Sequence, residues 1–270
     1  MRRTDDSHVS FGLYAPTGRS EPQFREVHLI GANGEPIDDL TADLAKRIVL
    51  AVDRLMGFDP PTSQNVLYVT NDATRRCPRT PKRGEETPLW RNDVTLVVHA
   101  GSAYYQQFAY QLAHELAHVY YGDNERGVAT IIEEAAAELC SLLALGDAEA
   151  FFLERGLTNE IATARWYRTR VVVDYAEELE KRYLPPVDPA CLMLALRSTG
   201  DRAFNWKLSL ALRRLHEAGM SLGAFHGVAA MATEDVVVTP IDELPEEKVP
   251  RGYRATVGAV REAILEEFRL

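Results

Sequence analysis

Apolar residues recur at helical spacing in two well-defined stretches of the first half of the chain. Over Thr41–Met56, Leu44, Ile48, Ala51, Val52 and Leu55 fall on one face, the stripe of a surface helix packed on a core. Thr41 or an earlier Asp is expected to cap it, and Gly57 with Pro60-Pro61 to end it. Over Ala103–Tyr121, Tyr105, Ala109, Leu112, Leu116 and Val119 make a similar stripe. A third run, Gly127–Leu145, is apolar on all sides, the pattern of a buried helix. Runs rich in β-branched residues at Val27–Ile30, Val66–Thr70 and Val94–His99 are expected strands, the first running into the turn Gly31-Ala32-Asn33-Gly34. Beyond Leu145 the pattern is helical: Thr158–Tyr183, Asp188–Arg197, Ala203–Ala218, Ser221–Met231 and Thr256–Phe268. Residues 1–24, mixed in Gly, Pro, Ser and charge, are expected to be a flexible arm. An α/β half (25–146) and a helical subdomain (147–270) would follow, with a cleft between them.

The second helical stretch carries His114-Glu115-Leu116-Ala117-His118. Side chains four apart share a helix face, so both imidazoles can reach one ion. Glu115 then stands where a carboxylate could take a proton from water. At roughly 100° per residue, His114 and His118 fall opposite the apolar stripe, with Gln107 and Gln111, so they are expected to face the cleft. A catalytic zinc takes three protein ligands and keeps one position open. The histidine that would extend the motif is absent: Asn124 stands at that position, and Tyr121 where a glycine is needed. The next helix offers Glu133, Glu134 and Glu138 instead. Carboxylates in so apolar a helix are costly unless something positive satisfies them. Glu134 and Glu138 lie one turn apart on one face. Glu133 competes as a ligand but has only Ala137 one turn on, and could equally be a rim charge paired with Arg126.

With its second carboxylate-bearing helix, Ile131-Ile132-Glu133-Glu134-Ala135-Ala136-Ala137-Glu138, the stretch from about Gln111 to Leu145 resembles the gluzincins. These are the zinc peptidases that include thermolysin and the aminopeptidases. The resemblance implies one Zn2+ held by His114, His118 and Glu134, with Glu138 orienting a ligand histidine and Glu115 as general base. It implies an α+β, zincin-like catalytic domain: a small sheet whose edge strand, Val94–His99, lies beside the HExxH helix and pairs with an extended peptide, then a mainly helical second half. It also implies a Tyr or His donor to the oxyanion. Tyr167, Tyr175, His216, His226 and His99 are all open for that role, and none carries a motif.

Composition narrows the function classes. A formal net charge of −10 disfavours nucleic acid, whose binding depends on neutralising phosphates, and an anionic membrane surface. No signal peptide or membrane span is expected from the hydropathy pattern. Cys77, Cys140 and Cys191 are too few and scattered for a disulfide framework, so a reducing cytoplasm is the simple inference. Residues 71–93 hold the one basic island, Arg75, Arg76, Arg79, Lys82 and Arg83. It is either a solvated loop or a flap for acidic peptides, and Cys77 within it could block a zinc site as a thiolate. The expected activity is hydrolysis of peptide or protein substrates. The alternatives are another zinc amide or ester hydrolase, or a non-catalytic zinc protein that binds a partner.

Overall fold

The computed structural model describes residues 2–5, 8–12, 26–31, 37–57, 66–71, 94–98, 104–121, 129–182, 202–225, 228 and 241–268. Five short strands form one mixed sheet in chain order: β1 (Arg2–Asp5), β2 (His8–Gly12), β3 (Glu26–Ile30), β4 (Val66–Asn71) and β5 (Val94–Val98). The pairs β1–β2 and β2–β3 are antiparallel, with His8 opposite Ile30 and Gly12 opposite Glu26 in the second. The pairs β3–β4 and β4–β5 are parallel. On β3, Val27 and Leu29 are buried while Glu26, His28 and Ile30 are partly exposed, as the two-residue period of a strand requires.

Parallel neighbours need a long crossover, and helix α1 (Asp39–Met56) lies in the connection from β3 to β4. Its first turn is closed by Asp38, whose Oδ1 accepts from Thr41 N at 2.7 Å and whose Oδ2 accepts from Thr41 Oγ1 at 2.8 Å. At its other end Gly57 adopts φ 65°, and its N–H reaches Asp53 O. Only glycine takes that left-handed conformation without strain. Helix α1 packs against α2 (Tyr105–Tyr121), of which fourteen of seventeen residues are buried. That exceeds what one apolar stripe requires, and it makes α2 the central helix of its surroundings.

Helix α3 (Ala129–Glu154) runs nine residues past the expected end at Leu145. Gly146 reads as a stop, but the Ala-rich continuation carries the helix through it. The true stop is Gly156 at φ 69°. There Leu157 N donates to Phe152 O at 3.0 Å and Gly156 N to Leu153 O at 3.0 Å, the paired bonds of a Schellman end. Helices α4 (Thr158–Arg182), α5 (Arg202–Glu217) and α6 (Arg251–Phe268) follow. Helices α5 and α6 pack together, and Glu267 on α6 bonds Lys207 at 2.6 Å and Arg214 at 2.5 Å. Among the described residues no helix is long and apolar enough to cross a membrane.

The chain separates into two compact units. One holds residues 1–123 and 140–168, the other 124–139 and 169–270, and the division falls within the continuous helix α3. The first unit is tied internally by ion pairs from α1: Arg54–Asp147 at 3.0 Å, Arg47–Glu154 at 3.1 Å and Asp43–Arg155 at 2.6 Å.

The expected fold class therefore needs correcting. An α+β, zincin-like frame does not describe the chain, whose described residues are predominantly helical in both halves. Six helices of 16 to 26 residues dominate the described residues, against strands of four to six. Three of the six, α1, α2 and α3, begin before residue 146, because Ala- and Leu-rich segments occur throughout. The arm expected at 1–24 is also corrected, since β1 and β2 lie in it and extend the sheet. Arg2-Arg3-Thr4-Asp5 has no apolar residue, and His8-Val9-Ser10-Phe11-Gly12 alternates over only five residues, so neither run stands out among the surrounding Gly, Pro and charge. The expected Asp188–Arg197 helix lies outside the described residues, as do residues 226, 227 and 229–231 of the expected Ser221–Met231 helix.

Candidate metal centre

On α2, Tyr110, His114 and His118 recur at intervals of four residues, so they rise along one face of the helix. Side chains on a helix lean back towards its N-terminus, which brings each ring over the preceding one. The ring centroids of His114 and His118 are 5.0 Å apart, at 73°. His114 is 4% exposed and His118 is half-buried. Glu115, beside His114, is also 4% exposed.

Helix α3 supplies the carboxylates. Ligand atoms of His114, His118 and Glu134 all lie within 4.8 Å of one another. Zinc bonded to nitrogen and oxygen at about 2.0–2.2 Å sets its ligand atoms roughly 3.3–3.5 Å apart in tetrahedral geometry. Side-chain rotations can close that difference. Two imidazoles and one carboxylate are a zinc donor set. The surroundings suit a cation as well. Glu115 at 4%, Glu133 at 5% and Glu138 at 0% exposure are three buried carboxylates within four residues of a ligand. An ionised carboxylate shut from water costs several kcal/mol without positive charge nearby, and a divalent ion provides it. The residues present fit zinc.

The HExxH helix and a downstream glutamate thus come together as in the gluzincin pattern. The structure gathers Glu134 and leaves Glu133 out of the three-residue group. Glu138, one turn beyond Glu134, is completely buried.

One expectation about α2 is corrected. Its histidine face was to be open to a cleft opposite an apolar stripe, yet Gln111 and His114 on that face are buried along with the stripe. Hydropathy marks which residues prefer burial, whereas packing on several sides buries polar ones too.

The proposed oxyanion donors separate. Tyr167 is half-buried on α4, with its ring 6.0 Å from that of Tyr110. His216 donates from Nδ1 to Met220 O at 2.9 Å, a helix-end bond that occupies it locally. The Tyr175 side chain, His226, His99, residues 72–93 and Cys77 lie outside the described residues. Cys140 is buried on α3, and that burial, with Asp147 a lesser cause, pushes its thiol up far enough to keep it protonated. Tyr110 escaped the reading of the sequence, although its position four residues before His114 was a visible signal. Comparison with family models, with curated proteins and with solved structures gave no match to this chain.

Proposed function

We propose that this chain is a zinc-dependent hydrolase of gluzincin type that cleaves peptide bonds. The observation that carries the reading is the convergence of His114, His118 and Glu134 within 4.8 Å, with Glu115 next in sequence to the first ligand. His114, His118 and Glu134 would hold the ion. Zinc bound there supplies Lewis acidity, polarising a carbonyl and lowering the pKa of a water. Glu115 takes the proton of the attacking water and delivers it to the departing amine, as general base and then general acid. Its burial shields that proton transfer from bulk solvent. Glu138 sits one turn from Glu134 on the same helix face, where a carboxylate can fix a ligand side chain in its coordinating orientation. An intact Glu115 argues for catalysis, since a purely structural ion has no use for a base.

The test is elemental analysis of the purified chain, beside digestion of a mixed peptide library by wild type and Glu115→Gln. About one zinc per chain in both, with cleavage by the wild type alone, supports the reading. Cleavage of small amides or esters but no peptide would move the assignment to another zinc hydrolase. A chain that takes up no metal when zinc is supplied refutes it.

A further inference from the structure

A second feature of α2 bears on the same centre, and its reading rests on the metal assignment above. Four rings form a row: Tyr167, Tyr110, His114 and His118. Tyr167 meets Tyr110 edge-on at 6.0 Å and 72°. Tyr110 stacks on His114 at 6.4 Å and 22°. His114 meets His118 edge-on at 5.0 Å and 73°. All three separations fall in the range of attractive aromatic pairs. Tyr110 is 7% exposed, so its ring is held on the core side, and Tyr167 comes from a different helix to close the end of the row.

We propose that Tyr110 is a positioning residue for the ligand His114, and that Tyr167 braces it. An imidazole can turn about two side-chain bonds, and coordination fixes both. A flat ring stacked on His114 restricts that rotation before the ion arrives, and the edge-on ring of Tyr167 keeps Tyr110 from swinging away. Affinity rises when a binding conformation is held in advance. The contact is made by the aromatic ring of Tyr110, so phenylalanine should serve and an aliphatic side chain should not.

The test loads the apo protein with Co2+ and reads its dissociation constant by chelator competition, with the visible absorption bands reporting ligand geometry. Thermal melts of the apo forms show which variants fold. Tyr110→Leu should weaken cobalt binding about tenfold or more and change the bands. Tyr110→Phe should match wild type, and Tyr167→Ala should fall between. Wild-type affinity and bands in both Tyr110→Leu and Tyr167→Ala would overturn the proposal and leave the metal site standing. If Tyr110→Leu does not fold, wild-type behaviour of Tyr167→Ala alone overturns it. A Tyr110→Phe variant as weak as Tyr110→Leu would also overturn it, by assigning the effect to the hydroxyl. A wild-type chain that binds no cobalt and no zinc defeats the metal assignment itself.

Discussion

Tyr120, fully buried near the end of α2, donates its phenolic hydrogen to Asp53 Oδ1 of α1 at 2.6 Å. This bond ties the end of α2 to the helix that packs on it, two residues from His118. Hydrogen bonds to a charged acceptor contribute more than neutral ones. Tyr120→Phe keeps the packing and removes the bond. It should cost about 1–2 kcal/mol, read as a lower urea midpoint with the slope of the transition unchanged.

How far the sequence carried can be judged from such pairs. Helix α1 was legible in its stripe, its Asp cap and its Gly57 stop, all local signals. The grouping of His114, His118 and Glu134 was legible because the four-residue spacing of the two histidines encodes one helix face and the next helix offers the carboxylate. The ionic ties between α1 and α3 join residues about a hundred positions apart in sequence, where no local pattern reaches. Strands β1 and β2 were missed for a related reason: a four- or five-residue strand is stabilised by its neighbours in the sheet more than by its own residues. The stack of Tyr110 on His114 was within reach at four-residue spacing, but its brace from Tyr167 depends on how α4 is placed.

Glu267 is the second buried tie. It is 8% exposed and bonds both Lys207 and Arg214 of α5. Removing only the carboxylate leaves Lys207, which is largely buried, without its counter-charge. Glu267→Leu should therefore destabilise by about 2–4 kcal/mol. Adding Lys207→Met should restore part of that loss, because the uncompensated charge goes too. A double-mutant cycle in urea checks it, and additive losses would contradict the coupling.

Cys140 gives a pH signature. Burial raises its thiol pKa above the ordinary value of 9.0. Below pH 9 the thiol is protonated in both folded and unfolded chains and contributes no pH dependence. Above it the unfolded chain releases a proton that the folded one keeps, so this group's contribution to stability falls as pH rises, by roughly 1.4 kcal/mol per pH unit. In a Cys77→Ser, Cys191→Ser background, Cys140 should resist a thiol reagent at pH 8 until denaturant is added. Cys140→Ala should flatten the alkaline loss of stability.

The choice between adjacent glutamates is the sharpest prediction at the metal centre. Glu134 shares the 4.8 Å group with both histidines, while Glu133 is more deeply buried and outside it. Glu134→Ala should abolish stoichiometric zinc, as should His114→Ala and His118→Ala, whereas Glu133→Ala should retain it. A ligand that binds only the folded chain stabilises it by about 2.7 kcal/mol at a hundred times its dissociation constant. Stripping zinc with a chelator should therefore lower the wild-type melting temperature by several degrees. The same treatment should leave Glu134→Ala unmoved, since it has no ion to lose. If Glu133→Ala loses the zinc and Glu134→Ala keeps it, the third ligand is Glu133, and the helix face shared by Glu134 and Glu138 has no part in coordination.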